Sequence, residues 1–506
     1  MVNKTSILRG LELGSIVAEQ DSLLSRCFVR HPVLDELLFD RKDIVLGAKG
    51  AGKSALWKEI QDSPEKYEIL QDIRLHPITN PSGDPEFRDI LAAISQESFP
   101  DPEELRVGWR LYFLAQFWRA AKPILENTWE VISLEEEMRK YGIVAESDRS
   151  LKLAFAYAIS KARKLKNLEI KWLEGVSFEF SEESLQAGGS AVAIPFNDLM
   201  RQINSALSQV KKRVWLILDR LDEIVLGDEE RENIVLKGLL LAFRDMCDYP
   251  NARIKIFLRD DVYNRVTSIG HFPALTHVRS KATVPIRWEL EDLRHLVILR
   301  FLANHSIEEY LKSKNIDAQT SDGRKNIYYY LFPEKIDKGR AAEGFKWIVD
   351  RITDGNDIAT PRDLLSVVDT ARQYQIEQME RESLEIPGER LFTEDTLKKS
   401  VRKVAKDNLE TRVFAEYPDL RQSISAFSGQ KADHNNDTLK SILGDNWEDI
   451  LLRLERVGFV YSRTKKGVPV WTIPFFYSFA LGITRGSAFD LGSTDLVDED
   501  EDFLES

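Results

Sequence analysis

The sequence has few cysteines, few histidines and no long apolar run, and each shortage excludes a class of protein. Its two cysteines, Cys27 and Cys247, lie far apart in the chain, which favours two reduced thiols over a disulfide scaffold. The seven histidines lack the spacing of zinc ligands, so no zinc site is predicted. No stretch reaches the roughly 18 apolar residues of a membrane span, and the first residues lack the apolar core of a secretory signal. A cytoplasmic protein without membrane contact is therefore expected.

The chain also has fewer basic than acidic residues, and its formal net charge is −13. Residues 487–506 contain eight acidic and no basic residues, so they account for most of that excess. The rest of the chain is only mildly acidic, which argues against general coating of nucleic acid and leaves room for a local basic face. We predict a solvated, disordered acidic tail at 487–506. The alternative is a docking or autoinhibitory segment that competes for a basic groove.

What the sequence does contain is an alternation of apolar runs and helical patterns. Hydrophobic residues make up 43% and charged residues 30% of the 506 residues, which is typical of a globular protein of several domains. Strands are predicted at 44–46, 72–79, 214–218 and 253–258, and helices at 55–61, 196–213 and 233–247. Strands that are nearly continuous apolar runs indicate a parallel sheet with helices on both faces, which is an α/β fold.

Changes in apolar patterning and charge along the chain predict five parts. They are lead-in helices at 1–40, an α/β core at 41–285, a helical lid at 286–390, a winged-helix-like domain at 391–486 and the acidic tail. A mostly helical insertion at about 81–193 is expected to loop out of the core. The winged-helix interpretation depends on three helical segments followed by FVYSRTKKGVPVWTI (459–473), whose two β-rich runs about a glycine turn predict a hairpin.

The stretch GAKGAGKS (47–54) matches the phosphate-loop pattern G-x-x-x-x-G-K-[ST]. It follows a predicted strand and precedes a predicted helix, so backbone N–H groups and the helix N-terminus can converge on phosphate oxygens. Lys53 is expected to reach the β- and γ-phosphates, and the Ser54 hydroxyl to bind Mg²⁺. The predicted nucleotide-binding residues are Gly47, Ala48, Lys49, Gly50, Ala51, Gly52, Lys53, Ser54 and Ala55.

The second half of the site must supply a metal carboxylate and a residue that orients water. Asp219 ends the apolar run VWLIL (214–218), so we predict that it is the Mg²⁺ residue. Asp222 or Glu223 would polarise the attacking water. The sequence does not choose between them, and both could instead begin a helix. We expect the strand that ends at Asp219 to lie next to the strand that leads into the phosphate loop.

Two arginines are candidates for contact with the γ-phosphate. Arg259 ends the strand RIKIFL (253–258), which should neighbour the strand that ends at Asp219, and Arg362 begins a helix of the predicted lid. A surface salt bridge is the alternative role for Arg259, and a purely structural role is the alternative for Arg362. ATP is favoured over GTP because no N-K-x-D motif follows the core.

Several segments together resemble a bacterial P-loop ATPase family near the AAA+, STAND and KAP ATPases, some of whose members are DNA-repair-like or associated with phage defence. They are GAKGAGKSAL, LILDRLDEI, KIFLRDDVY, VPIRWELEDLRHLVILRF and TPRDLL. The resemblance implies Walker A at Lys53 and Ser54, Walker B at Asp219, catalytic acids at Asp222 and Glu223, a sensor 1 arginine at Arg259 and a sensor 2-like arginine at Arg362. The separation of Asp219 from Asp222 departs from the adjacent acids of most AAA+ motors and favours a slow switch.

Three hypotheses of function follow. The leading one is an ATP-controlled switch that hydrolyses ATP slowly and assembles with itself or with a protein effector. The second is a DNA-stimulated motor or repair ATPase, with Arg463, Lys465 and Lys466 of the hairpin as candidate phosphate contacts. The third is a scaffold that holds nucleotide without turnover.

Overall fold

The computed structural model describes residues 4–78, 99–140, 143, 176–177, 193–221, 228–268, 272, 275–312, 320–337, 343–381, 386, 388, 390–465 and 467–489. The chain forms two compact units. One comprises Met1–Arg30, Ala48–Ala55 and Arg287–Ser506, and the other comprises His31–Gly47 and Leu56–Ile286. The remainder of the predicted insertion and of the acidic tail lies outside the described residues.

The first half of the chain contains the longer helices α4 and α7 and a set of short strands. Its helices are α1 (Lys4–Gly10), α2 (Pro32–Leu38), α3 (Lys53–Asp62), α4 (Pro102–Ala121), α5 (Trp129–Lys140), α6 (Phe196–Gln209), α7 (Glu229–Met246), α8 (Asp260–Ser268) and α9 (Leu275–Lys281). Its strands are β1 (Ile44–Leu46), β2 (Ile73–Ile78), β3 (Val176–Ser177), β4 (Ala193–Ile194), β5 (Arg213–Leu218) and β6 (Ala252–Leu258).

The second half is helical until a small sheet near its end. Its helices are α10 (Leu290–Leu302), α11 (His305–Lys312), α12 (Ser321–Leu331), α13 (Gly344–Ile352), α14 (Pro361–Arg381), α15 (Glu394–Asn408), α16 (Phe414–Glu416), α17 (Arg421–Ser425), α18 (Asn436–Leu443), α19 (Trp447–Arg456) and α20 (Phe475–Leu481). A π-helical turn at Leu409–Val413 joins α15 to α16. The strands are β7 (Lys431–His434), β8 (Tyr461–Lys465), β9 (Val468–Thr472) and β10 (Thr484–Ser487).

The central sheet has the strand order β1-β6-β5-β2, and every neighbouring pair is parallel. The run VWLIL in β5 is buried along its whole length, as expected for a strand that is covered on both sides. A parallel sheet whose first strand leads through a glycine loop into a helix is the α/β fold of P-loop NTPases, as the sequence predicts.

Sequence reasoning placed the strand that ends at Asp219 directly beside the strand that leads into the glycine loop, and this prediction is wrong. Strand β6 lies between them, paired with β1 on one side and with β5 on the other. Parallel strands are joined by long crossovers, so the order of strands along the chain does not determine which strands are neighbours in the sheet. The prediction that β6 neighbours β5 is confirmed.

The described part of the predicted insertion does not loop out of the core. Helix α4 is buried along most of its length and packs against α7. A side chain on Gly238 of α7 would approach the Cβ of Leu105 to 2.6 Å, so the two helices meet at a position that only glycine fits. The Trp109 indole also donates a hydrogen bond to the carbonyl of Val235 at 3.2 Å. Helix α4 is therefore an integral part of this unit, because its large apolar side chains need a partner surface.

The other unit has its own hydrophobic core, to which α1 and helices α10 to α20 contribute. Near its end, a sheet of order β10-β7-β9-β8 contains the predicted hairpin, in which β8 and β9 pair antiparallel. Helices α18 and α19 lie between β7 and β8 in sequence, so the predicted order of helices followed by a hairpin is confirmed. No described helix combines the length and apolar character needed to cross a membrane.

Candidate nucleotide site

The phosphate loop begins where β1 ends. The three residues of β1 are buried, and Gly47 follows them directly. Gly50 and Gly52 have φ angles of 85° and 98°, which a residue with a side chain adopts only at a cost. Helix α3 begins at Lys53, so the loop delivers its last residues to a helix N-terminus. Local sequence alone explains this geometry, because glycine occurs at each position that needs a left-handed backbone.

Hydrogen bonds hold the loop in a defined shape. The Ala51 N–H donates to the Ala48 carbonyl at 3.1 Å, and the Lys53 ammonium donates to the same carbonyl at 3.0 Å. The Trp288 indole N–H donates to the Ala51 carbonyl at 2.8 Å. The ammonium of Lys53 therefore lies across the loop. Sequence reasoning gave Trp288 no role, because a single tryptophan just before a helix does not indicate which distant backbone group its indole will bind.

The N-terminus of α14 lies against the loop. A Cβ on Gly50 would be 3.1 Å from the Cβ of Arg362 and 3.2 Å from the hydroxyl oxygen of Thr360. Arg362 is therefore beside the phosphate loop, although it is about 310 residues away in sequence. Its Nε is buried and has no hydrogen-bond partner among the residues that the structure describes. An arginine nitrogen in this position is suited to an anionic ligand, since a buried donor without a partner is costly.

The neighbour Thr360 fixes the start of α14. Its hydroxyl accepts from the Asp363 N–H at 3.1 Å and donates to the Asp363 carboxylate at 2.8 Å. The same carboxylate accepts from the Asn408 side-chain amide at 2.9 Å. This reciprocal cap fixes the start of the helix and therefore the position of Arg362 in its first turn. The sequence motif did not reveal these contacts.

Asp219 is half-buried directly after β5. Its carboxylate accepts a hydrogen bond from the Arg220 N–H at 2.9 Å, and Arg220 has a φ of 56°. A left-handed conformation at a non-glycine residue is uncommon and marks a sharp change in chain direction. The predicted water-orienting residues Asp222 and Glu223 lie outside the described residues, so their assignment remains a prediction.

Arg259 follows β6 and forms a two-pronged ion pair within its own turn. Its Nε and one terminal nitrogen lie 3.0 and 2.7 Å from the two carboxylate oxygens of Asp261. The side chain is largely buried, with 13% of its surface exposed, and it is engaged by Asp261, so a contact of Arg259 with the γ-phosphate remains a prediction. Because β1, β6 and β5 are parallel neighbours, Gly47, Arg259 and Asp219 all leave the same edge of the sheet.

Ser54 and Asp219, each considered separately, carry donor groups of the kind that magnesium prefers. Mg²⁺ prefers carboxylate and hydroxyl oxygens together with water and substrate phosphates. Ser54 supplies a hydroxyl in the first turn of α3, and Asp219 supplies a half-buried carboxylate. Both are hard oxygen ligands, as a phosphate-bound magnesium site requires.

The cysteines are not candidate nucleophiles. Burial raises the pKa of Cys247 to about 11 and raises the pKa of Cys27 as well. Both thiols therefore stay protonated near neutral pH, and a protonated thiol is a poor nucleophile.

The candidate DNA contacts of the hairpin are partly neutralised. One terminal nitrogen of Arg463 lies 2.9 and 3.0 Å from the two carboxylate oxygens of Asp433, and the Lys465 ammonium lies 3.3 Å from one of them. Asp433 is buried and also accepts from the Thr472 hydroxyl at 2.7 Å. Lys466 lies outside the described residues. The two described cations therefore hold the small sheet together through Asp433.

No family model matches the chain, and no curated protein matches it in sequence. Two solved structures are similar to it over most of its length. One is the Aeropyrum pernix ORC2 protein in ADPNP–ADP complexes, with 11% identity, coverage of 92% of this chain and 91% of that chain, and a TM-score of 0.33. The other is the Aeropyrum pernix ORC1 protein in complex with DNA, with 11% identity, coverage of 95% and 98%, and a TM-score of 0.33. At this level neither similarity assigns an activity or a partner to this chain.

Proposed function

We propose that this chain is a magnesium-dependent ATPase that hydrolyses ATP slowly and acts as a nucleotide-controlled switch. The observation that carries the proposal is the phosphate loop, in which Gly50 and Gly52 are both left-handed and Lys53 opens a helix. This arrangement presents backbone N–H groups and a positive helix end to phosphate oxygens. Self-association and a protein effector as partners rest on the family resemblance, as do the settings of phage defence or DNA maintenance.

The chain's own residues divide the work of the site. Lys53 would neutralise the β- and γ-phosphates, and Ser54 and Asp219 would be the ligands of a magnesium ion, which would withdraw charge from the phosphates. Arg362 offers its buried Nε toward phosphate charge, and Arg259 stands at the end of the strand between β1 and β5. Asp222 or Glu223 orients the attacking water. The three-residue step from Asp219 to Asp222 supports a slow switch over a motor.

A DNA-stimulated motor is the second candidate, and the charges of the C-terminal sheet disfavour it. Arg463 and Lys465 are engaged by Asp433, which lowers the positive charge that the hairpin offers to a phosphate backbone. Helix α19, which precedes the hairpin, has Glu448 and Asp449 in its first turn. These negative charges would repel a phosphate at the N-terminus of the helix. Duplex DNA is therefore expected to have little effect on ATP hydrolysis.

The test compares ATP hydrolysis and native mass for wild type, Lys53→Ala and Asp219→Asn, with and without duplex DNA. Removing either group should lower the hydrolysis rate by at least about a hundredfold, because both act on charge that develops at the phosphates. Asp219→Asn keeps an oxygen that can accept from the Arg220 N–H. A loss of hydrolysis in this variant would therefore not result from a broken turn. Lys58→Ala is the matched control, since this lysine of the same helix pairs with Asp62.

Each outcome separates the hypotheses. ATP-dependent growth in native mass without DNA stimulation supports the switch, and strong DNA stimulation supports the motor. Nucleotide binding without any turnover in wild type supports the scaffold. Unchanged hydrolysis in Lys53→Ala would overturn the site assignment.

A further inference from the structure

A carboxylate from the second half of the chain is bound to the phosphate loop. Lys49, inside the loop, forms an ion pair and hydrogen bond with Glu416, the last residue of α16. The Glu416 side chain is 16% exposed and that of Lys49 is 39% exposed, so the pair is only partly screened by solvent. A carboxylate beside a phosphate-binding loop is unexpected, because it would repel the negative phosphates of a bound nucleotide.

The segment that carries Glu416 is anchored rather than loose. Arg412, in the π-helical turn just before α16, lies 3.6 Å from the Asp354 carboxylate and 3.4 Å from that of Asp363. Phe414 is buried in the core of this unit. A π-helical turn is rare and often occurs at functional sites. Glu416 is therefore held in place by buried contacts and does not reach the loop by chance.

The ion pairs of Arg412 also connect this segment to the loop by a second route. Asp363, which pairs with Arg412, is the residue that caps α14 through Thr360. Thr360 in turn lies against Gly50 of the loop. The segment 409–416 and the phosphate loop are thus joined by two routes, one through the Lys49–Glu416 ion pair and one through the start of α14.

We propose that Glu416 sets the affinity of the nucleotide site by competing with the phosphates for Lys49, so that nucleotide binding releases the Glu416 side chain from the loop. The inference rests on the proposed function, since it requires phosphates at the loop. A triphosphate brings several negative charges close to Lys49, and one ammonium cannot neutralise both partners fully. Because the coupling is reciprocal, a contact that weakens nucleotide binding must itself be weakened by nucleotide.

The test measures the dissociation constant of a non-hydrolysable ATP analogue with Mg²⁺, by titration calorimetry on the full chain. Glu416→Gln removes the charge and keeps the shape, and it should tighten binding by about fivefold to tenfold, at the low end of typical coupling factors. Glu410→Gln is the matched control. Its carboxylate lies on the same π-helical turn, and its ion pair with Arg421, at 3.0 Å, is exposed and does not involve the loop. We expect no change in affinity for it.

A double-mutant cycle with Lys49→Gln identifies the mechanism. Lys49→Gln should weaken binding, and Glu416→Gln should then have little further effect, since the competition requires the lysine.

The failures are distinguishable. Unchanged or weaker binding in Glu416→Gln, with normal binding in wild type and loss of binding in Lys53→Ala, would overturn this inference and leave the proposed function intact. An undiminished effect of Glu416→Gln in the Lys49→Gln background would show simple repulsion and also overturn it. Absence of binding in wild type and every variant would remove the proposed function and, with it, the inference.

Discussion

Both ends of the central sheet carry acidic and basic residues, but these residues differ in how deeply they are buried. At the amino end of β1, the Lys255 ammonium lies 2.7 Å from Asp43 and 2.6 Å from Asp40, and Arg253 lies 2.6 Å from Asp43. Lys255 and Asp43 are almost fully buried. At the carboxyl edge, Gly47 opens the phosphate loop, Asp219 is half-buried and the Arg259 side chain is 13% exposed.

The difference predicts that the charged cluster at the amino end is stabilising and that the carboxyl edge is functional. Buried charges at the amino end are matched by opposite charges, so removing one leaves the others buried without compensation. The carboxyl edge instead has a left-handed backbone at Arg220, next to the half-buried Asp219 carboxylate. Strained backbone and accessible polar groups are typical of sites that bind ligands. The comparison predicts that changes at the amino end alter stability and that changes at the carboxyl edge alter activity.

The largest effect is expected from Asp43→Asn at the amino end. The substitution leaves Lys255 and Arg253 short of one buried negative charge, so the free energy of unfolding should fall by about 3–5 kcal/mol. Chemical denaturation measures this loss. Nucleotide affinity of the folded protein should stay near the wild-type value. Asp198→Asn is the control, since its ion pair with Arg201 is exposed and should contribute nothing measurable. A comparable loss in both variants would contradict the comparison.

An intermediate effect is expected from Gly50→Ala in the loop that follows β1. Left-handed backbone costs a residue with a side chain roughly 1–2 kcal/mol, and the new Cβ would also press on Arg362 and Thr360. Gly429→Ala controls for the backbone cost alone, because Gly429 has a φ of 72° and no neighbour within 4 Å of the added Cβ among the described residues.

In thermal or chemical denaturation, Gly429→Ala should lose only the backbone cost, and Gly50→Ala should lose at least as much stability. Gly50→Ala alone should also weaken nucleotide binding by about tenfold, which corresponds to about 1.4 kcal/mol. Equal affinities in the two variants would show that the contact between Gly50 and the start of α14 does not shape the loop.

The smallest effect compares the two ends of β5. Lys211 precedes this strand with a φ of 53°, and Arg220 follows it with a φ of 56°. Glycine at either position should relieve strain and stabilise the protein by about 0.5–1 kcal/mol, since it adopts this conformation freely. Lys211→Gly should leave ATP hydrolysis unchanged, whereas Arg220→Gly should slow it, because glycine also permits other backbone conformations and so holds Asp219 less firmly. Identical hydrolysis rates would indicate that the turn at Arg220 has no functional role.

Much of the fold could be predicted because its signals are local. The apolar runs that form β1, β5 and β6 and the helical patterns of α3 and α7 are each visible within one short window. The phosphate loop is equally local, since its glycines mark the positions with left-handed backbone. The neighbours of β1 and the packing of α4 were predicted wrongly because they depend on crossovers and on surfaces far apart in sequence.

The sequence by itself determined where the strands of the central sheet lie, that a glycine loop joins β1 to α3, and that Asp219 and Arg259 follow neighbouring parallel strands. Only the tertiary structure decided that Trp288 and Thr360 shape the loop and that Glu416 binds Lys49. These residues carry no motif of their own. They come to the loop because burial of apolar side chains brings distant segments together, and the polar groups carried along then find partners that no local pattern specifies.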